Sequence, residues 1–371
     1  MKLKKRSYRF VLAIVIIIII AVTTIRIFNM QKPNEVGKMN SIEAINDYCS
    51  KKDNLVLTVG VIYEGKTKYI CYGTDGTILP QCEYSYEIGS ITKTFTTSVL
   101  CKALYDKKVN LYDSIAQYIK LDDGQYYPTI KQLATHTAGY GEVPFSIRFK
   151  SIISSITDHK NFFSNYNTQS LINDIQRKKL SDKEYSWKYS NFGMSVLGQV
   201  LCEVYKNDYK TLVENYAQRE LGLTNTHVGT NNIILKGHTK GNKESNWVWG
   251  ADDAFLPAAS LVSNMGDMLK YAEIQMSGEK EYLSLAHQKY AKLSTAEYDM
   301  GLGWILDNKN NIIWHTGETY GFNCFIGFDK EKKIAVTVMA NYAGQTDNDS
   351  TIIGFKILKE LQNGSNLIFH D

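Results

Sequence analysis

The chain has little proline, no repeats and no clustered metal ligands. Only 5 of its 371 residues are proline, and neither a low-complexity run nor a repeat of fixed period occurs, so long disordered stretches and repeat architectures are not expected. The six cysteines and seven histidines lack zinc spacing, so no structural metal is expected. Hydrophobic residues make up 44%, which is ordinary for a globular protein with a sizeable core.

The chain also lacks positive charge beyond its first residues. Its formal net charge is +4, but five basic residues precede the first apolar run: Lys2, Lys4, Lys5, Arg6 and Arg9. The remainder is therefore near neutral and has no basic surface of the kind that binds nucleic acid. No nucleic-acid partner is expected.

An uncharged apolar segment runs from Phe10 to Ile25. As a helix it would span about 24 Å at ~1.5 Å per residue, slightly less than a ~30 Å hydrocarbon core. Because basic residues precede it, we expect an uncleaved single-pass signal anchor in the cell membrane, with residues 1–28 as cytoplasmic tip and membrane helix, 29–40 as linker, and the rest outside. A cleaved signal peptide, giving a secreted protein, has the same charge layout, but no small-residue cleavage site follows the run. A buried core helix fits the bulky residues on every side poorly.

The even number of cysteines permits disulfides outside the cell. Cys101 and Cys202 fall in helical apolar patterns, where cysteine often acts as a small hydrophobic residue. Cys71 and Cys82 flank a glycine-containing turn and form the one pair that we consider.

Strand patterns occupy both ends of the remaining chain and helical patterns occupy its middle. Strands are predicted at 55–63, 68–72, 311–315, 324–328 and 334–341. Helices are predicted at 41–49, after Ile91, after Phe192, and at 212–221, 265–275 and 351–361. This order predicts an α+β fold: an antiparallel sheet built from both termini, with an inserted helical subdomain and a cleft between the two.

The first group with chemical potential is Ser90 and Lys93. Three residues apart, they share one face of a helix, and Gly89 precedes the serine where the apolar stripe begins at Ile91. At a helix N-terminus, backbone N–H groups and the helix dipole stabilise developing negative charge. A desolvated lysine can lose its proton near neutral pH and activate the serine as nucleophile. The same spacing at 277–280 lies in a polar turn, so context favours Ser90.

The second group is Tyr189, Ser190 and Asn191, which directly precede a helix. A tyrosine near a lysine can exist partly as phenolate and act as general base and then as acid. Asn191 can form hydrogen bonds with both the lysine and a substrate carbonyl. A copy of the spacing at 205–207 ends a helix instead of opening one.

The third group is His315, Thr316 and Gly317, at the end of an apolar strand. Glycine lets a substrate backbone lie against the strand edge. The backbone N–H of Glu318 is expected to complete an oxyanion hole with that of Ser90. A copy at 227–229 lies in a loop-like stretch.

In the order Ser, Tyr, His, these groups resemble the serine β-lactamase and penicillin-binding protein superfamily, and within it the class C β-lactamase-like branch. Further stretches are also similar to that family: 86–90, 130–139, 220–223, 301–304 and 315–322. The resemblance implies a β-lactamase/transpeptidase-like fold over residues 41–366 and no cofactor. It implies Ser90, Lys93 and Tyr189 as catalytic residues. The implied substrate-binding residues are Asn191, His315, Thr316, Gly317 and Glu318.

Two positions depart from the family pattern. Residues 258–260 read Ala-Ala-Ser where a Gly-Gly pair often follows the proline, which predicts a tighter cleft at that edge. His315 stands where dedicated penicillin binders carry lysine, and a histidine is largely neutral near pH 7, so a substrate carboxylate should bind more weakly. His136 is expected to be structural, with hydrogen bonds to backbone that fix the turn at Gly139.

The resemblance implies an anchored serine hydrolase that acts through an acyl-enzyme on a small-molecule or cell-wall substrate. D-Alanyl peptides of peptidoglycan and D-alanyl esters of teichoic-type polymers are the expected substrates. A β-lactamase or a slowly deacylating penicillin-binding protein is the second hypothesis. A non-catalytic sensor with the same fold is the third, and loss of Ser90, Lys93 or Tyr189 would have favoured it. The oligomeric state is left open.

Overall fold

The computed structural model describes most of the chain that follows the N-terminal segment. The described residues are 39–50, 52–80, 83–157, 160–229, 235–239, 241–293, 297–343 and 349–365. The predicted signal anchor, residues 29–38 of the predicted linker, and Cys82 lie outside them. Within the described ranges, no helix is both long and apolar enough to span a bilayer, and the five cysteines there, Cys71 included, have free thiols.

The strands form a large sheet and a small one. They are β1 (Leu57–Tyr63), β2 (Lys66–Tyr72), β3 (Ile78–Leu79), β4 (Ser85–Glu87), β5 (His227–Val228), β6 (Leu261–Asn264), β7 (Ala291–Lys292), β8 (Asp299–Met300), β9 (Ile305–Asp307), β10 (Ile312–Glu318), β11 (Asn323–Asp329) and β12 (Ile334–Ala340). Nine of these described strands form one antiparallel sheet in the order β3-β2-β1-β12-β11-β10-β9-β8-β7. β1 pairs with β12, with Leu57 opposite Ala340. The sheet therefore joins the two ends of the domain, which confirms the predicted α+β fold.

The helices occupy the middle of the chain and both ends of the domain. They are α1 (Ser41–Cys49), α2 (Thr92–Tyr105), α3 (Ile130–Ala134), α4 (Phe145–Ile156), α5 (Thr168–Arg177), α6 (Asn191–Tyr205), α7 (Tyr209–Asn215), α8 (Leu256–Ala259), α9 (Met265–Ser277) and α10 (Ser350–Gln362). The predicted helix at 212–221 is displaced, because α7 begins at Tyr209 and ends at Asn215, and a π-helical turn, Tyr216–Glu220, follows it.

α9 and α10 cover opposite faces of the large sheet. Gly60 of β1 faces α9, since a Cβ there would lie 2.4 Å from a side-chain sulfur of that helix. Phe325 of β11 faces α10, since a Cβ on Gly354 would lie 2.1 Å from its ring. Gly60 is opposite Thr337, and Phe325 is opposite the adjacent Val338. Because neighbours along a strand point to opposite faces, the two helices enclose the sheet.

α1 lies against α10 at the start of the described domain. A capping box fixes its first turn: Asn40 accepts from the Glu43 N–H, and the Glu43 carboxylate accepts from the Asn40 N–H, both at 2.9 Å. The backbone N–H of Ser41 donates to Glu360 of α10 at 2.8 Å. Both ends of the domain are thereby held together on one face of the sheet.

α2 is buried on all sides of its first two turns. The predicted apolar stripe is buried, and so are the polar residues between its members, including Thr97 and Ser98. Their hydroxyls donate to carbonyls of the preceding turn, Thr97 to Lys93 at 3.1 Å and Ser98 to Thr94 at 2.8 Å, so burial leaves them hydrogen-bonded. Phe95 stacks on Tyr271 of α9, with ring centroids 4.0 Å apart. Lys93 is therefore enclosed by protein.

The small sheet, in the order β4-β6-β5, leads the chain into the nucleophile. Glu87 of β4 pairs with Val262 of β6, and the N–H of Ile88 donates to the Leu261 carbonyl at 2.9 Å. The hydrogen bonding to β6 thus extends to Ile88, two residues before Ser90. The backbone of Ser90 is therefore held between the small sheet, which precedes it in sequence, and α2, which follows it.

Candidate active site

Ser90 lies in a 3₁₀ turn, Gly89–Ile91, between β4 and α2. Gly89 has φ of 49°, in the left-handed region that favours glycine, and a Cβ there would lie 2.7 Å from the backbone nitrogen of Glu318. On the facing strand, a Cβ on Gly317 would lie 1.9 Å from the Ile88 carbonyl oxygen. The two glycines let the end of β10 lie directly against the Ser90 turn. The sequence predicted that Gly317 leaves space for a substrate backbone. In the structure, the Ile88 backbone of this chain occupies the space beside Gly317.

Lys93 points from α2 back to the serine. Its Nζ lies 3.0 Å from the Ser90 Oγ and donates to the Ala258 carbonyl at 2.7 Å. Burial lowers the pKa of this amine well below its ordinary value, and the nearby charge of Glu142 opposes the shift. The site therefore favours an uncharged lysine in contact with the serine hydroxyl.

Tyr189 lies next to the lysine, with its ring centroid 4.8 Å from the Lys93 Nζ. Burial raises the pKa of its phenol, and the nearby Ser90 hydroxyl only partly offsets that effect. The Tyr189 hydroxyl is buried and has no hydrogen-bond partner of ordinary geometry among the described residues. Burial therefore favours the protonated phenol in the free site, and the predicted role of Tyr189 in proton transfer stays a prediction.

His136 holds the segment that carries Tyr189. Its Nδ1 accepts from the Ser190 N–H at 3.2 Å, and its carbonyl accepts from the Lys188 N–H at 2.9 Å. Its ring centroid lies 4.9 Å from that of Tyr189. Burial lowers the pKa of His136 well below its usual range, and positive charge on the neighbouring Lys93 or His315 would lower it further. The expected bonds to backbone exist, but they fix residues 188–190 instead of the turn at Gly139.

Asn191 is the first residue of α6 and is 7% exposed. Ser190 caps the helix, since its hydroxyl accepts from the Gly193 N–H at 2.8 Å. The side-chain oxygen of Asn191 is buried and has no partner within the described chain. Its predicted contacts with lysine and substrate stay predictions.

His315 is 1% exposed and lies on the face of β10 that carries Gly317. Its Nδ1 lies 2.6 Å from the Thr316 carbonyl oxygen, which can only accept, so this nitrogen carries the proton. Burial is the main cause that lowers the pKa of His315 to about 3, and positive charge on Lys93 would act in the same direction. The imidazole is neutral near pH 7, in agreement with the sequence expectation.

Thr316 and Glu318 alternate with His315 and lie on the other face of β10. The Thr316 hydroxyl donates to the Cys324 carbonyl at 2.9 Å and lies 2.9 Å from the Thr351 hydroxyl of α10. Its side chain therefore does not join the Ser90 cluster. Glu318 has an exposed side chain, and its backbone faces Gly89. Its oxyanion-hole role stays a prediction.

Glu142 is a charged neighbour that no sequence motif indicated. Its carboxylate is the charged group that acts on both Lys93 and Tyr189. It lies three residues beyond Gly139, the end of a family-like stretch, and that proximity was the only sequence signal. No group of three or more His, Cys, Asp or Glu side chains in the described ranges converges on a possible metal position.

The enclosed antiparallel sheet and the meeting of Ser90, Lys93 and Tyr189 beside the end of β10 define the class of protein: a β-lactamase/transpeptidase-like fold. The chain belongs to the Beta-lactamase family, whose model matches residues 51–355. Relatives with this fold are serine hydrolases.

Individual relatives are distant. Protein flp of Staphylococcus aureus (strain MRSA252) is 25% identical over an alignment of 281 positions that covers 69% of this chain and 52% of flp, so the chain spans about half the length of that relative. A beta-lactamase of Pseudomonas fluorescens is 24% identical over 337 residues, covering 78% of this chain and 89% of the relative. The structure of a beta-lactamase/D-alanine carboxypeptidase from Pseudomonas syringae superposes with a TM-score of 0.71 at 17% identity, covering 88% of this chain and 98% of that one. At this identity the likeness shows the fold alone.

Proposed function

We propose that the protein is a membrane-anchored, extracytoplasmic serine hydrolase that acts through an acyl-enzyme on D-alanyl peptides or D-alanyl esters of the cell wall. The observation that carries this proposal is the contact of 3.0 Å between the Lys93 amine and the Ser90 hydroxyl, where burial favours the uncharged amine. The apolar segment at residues 10–25, with basic residues before it, supports the anchor and the outward orientation. Secretion after cleavage is the alternative location.

In the proposed reaction, Ser90 Oγ attacks the acyl carbonyl while its proton passes to Lys93 Nζ. The backbone N–H groups of Ser90 and Glu318 stabilise the oxyanion. Protonated Tyr189 gives its proton to the departing oxygen or nitrogen and regains one from Lys93. Water then attacks the acyl-enzyme, and its lost proton restores the Ser90 hydroxyl as the acid leaves.

A β-lactamase or penicillin-binding protein is the second candidate, and the likeness to a beta-lactamase of Pseudomonas fluorescens favours it. His315 argues against efficient use of β-lactams, because its uncharged imidazole offers no positive charge to their carboxylate.

The test is the intact mass of the detergent-solubilised full chain after incubation with a fluorescent penicillin and, separately, with D-alanyl esters. The controls are Ser90→Ala and Ser277→Ala, the latter removing an exposed serine with the same spacing to a lysine. We expect ester turnover in the wild type and Ser277→Ala and none in Ser90→Ala. A stable penicillin adduct on Ser90 without ester turnover would support the second candidate. Labelling or turnover that survives Ser90→Ala would contradict the assignment of the nucleophile.

A further inference from the structure

The loop that carries Glu142 is tied to the first turn of α6 on both sides of Asn191. The Ser190 hydroxyl donates to the Gly141 carbonyl at 2.7 Å, and the Phe192 N–H donates to the Glu142 carbonyl at 3.0 Å. These two bonds hold Glu142 beside Asn191, and Asn191 belongs to the segment that also carries Tyr189. The position of Glu142 is therefore fixed by backbone hydrogen bonds of its own loop.

The Glu142 carboxylate has no counter-ion in the described parts of the chain. Its side chain is half-buried, and no described residue forms a salt bridge or hydrogen bond with it. Lys188, which precedes Tyr189 in sequence, is exposed and is not among the charges that act on Lys93 or Tyr189. A half-buried carboxylate that lacks a cation is complementary to a positively charged ligand group.

The basic side chains of the cluster do not supply that charge. Burial disfavours the charged forms of Lys93, His136 and His315. The charged side chain that acts on both Lys93 and Tyr189 is therefore a carboxylate, that of Glu142. The side-chain amide of Asn191 is fixed by no hydrogen bond in the described chain, so it can turn either its oxygen or its N–H to a ligand.

We propose that Glu142 binds an ammonium group on the acyl part of the substrate. The preferred acyl donors are then aminoacyl compounds with a free α-amino group, such as D-alanyl esters, and N-acylated peptides and β-lactams are poor ones. This inference rests on the proposed hydrolytic function, and it selects among the substrates that the function leaves open.

The kinetic test compares D-alanine methyl ester with its N-acetyl counterpart at pH 7, where the free amine is largely protonated. We expect the wild type to prefer the free amine by about ten-fold or more in kcat/KM, the scale of one charge-assisted hydrogen bond. Glu142→Gln, which keeps the shape and removes the charge, should reduce that ratio by about the same factor. Glu279→Gln, at an exposed glutamate, should keep it. A wild-type ratio near one, or an unchanged ratio in Glu142→Gln, would overturn the proposal.

A binding test separates this inference from the proposed function. Ser90→Ala, alone and combined with Glu142→Gln, is titrated with D-alaninamide and with N-acetyl-D-alaninamide by calorimetry. Tighter binding of D-alaninamide that depends on Glu142, without ester turnover by the wild type, would retain the ammonium subsite and reject the hydrolase. Equal turnover of both esters would retain the hydrolase and reject the subsite. If the wild type turns over neither ester and no variant binds D-alaninamide selectively, both proposals are rejected. If the wild type hydrolyses D-alaninamide itself, amides with a free amino group are substrates besides esters, which supports both proposals.

Discussion

Glu87, three residues before Ser90, is a carboxyl group with almost no access to water. Its side chain is 3% exposed, and the Trp247 N–H donates to its Oε1 at 2.6 Å. Burial raises its pKa from 4.5 to about 8, although the nearby Thr319 hydroxyl and the Trp247 N–H act in the opposite direction. The folded protein therefore holds a neutral carboxylic acid at a pH where the unfolded chain holds a carboxylate.

This difference makes stability depend on pH with a definite sign. Between pH 4.5 and about 8 the folded state binds the extra proton, so the free energy of unfolding falls as pH rises. At roughly 1.4 kcal/mol per pH unit, the loss from this one group reaches at most about 5 kcal/mol and stops growing above the folded pKa.

Urea unfolding between pH 4.5 and 8.5 measures the effect, with Glu87→Gln as the variant that cannot ionise. We expect the free energy of unfolding of Glu87→Gln, relative to that of the wild type, to rise by about 3–5 kcal/mol across this range and then level off. Glu279→Gln, at an exposed site, should run parallel to the wild type. A constant difference between Glu87→Gln and the wild type from pH 5 to 8 would refute the neutral buried carboxyl.

Three further predictions concern the site. Ser90→Ala should abolish turnover at an unchanged thermal midpoint, and Lys93→Met should lower kcat by roughly a thousand-fold or more; ester assays that show normal rates would contradict their pairing. His315→Lys should lower the KM for carboxylate-bearing substrates, because a bound carboxylate favours the charged form of the introduced amine, and no change would remove the electrostatic argument. Gly317→Ala would place a Cβ 1.9 Å from the Ile88 carbonyl oxygen and should lower both kcat and the thermal midpoint. Gly266→Ala, whose Cβ would lie 3.7 Å from its nearest neighbour, should lower neither, and similar midpoints in the two variants would refute the close approach of β10.

The elements with strong periodicity were predictable from the sequence. α1 was predicted with its observed bounds, and the ends of the final strands and of α10 differ from prediction by at most three residues. Their apolar faces repeat at the helical or strand period because each packs on one side of the sheet. The small sheet was missed because β4, β5 and β6 have only two to four residues each, which is too short for a period to appear.

The composition of the site was predictable to the extent that local spacing places side chains. Ser90 and Lys93 share a helix face, so their contact followed from a spacing of three residues. Glu142 reaches the site through hydrogen bonds from Ser190 and Phe192, residues about fifty positions away, and no local pattern encodes that approach. The direction of Thr316 likewise follows from which face of β10 meets α10, a fact of tertiary packing.

Charge states depend on the same packing, and here the structure changes the proposed chemistry. One buried environment lowers the pKa of Lys93 and raises that of Tyr189, so it favours the uncharged form of both. The uncharged amine can accept the Ser90 proton, and the protonated phenol can only give its proton away. The proposed division of labour, lysine as base and tyrosine as acid, therefore follows from burial. A sequence that places a tyrosine near a lysine is equally compatible with the reverse assignment, because spacing carries no information about solvent access.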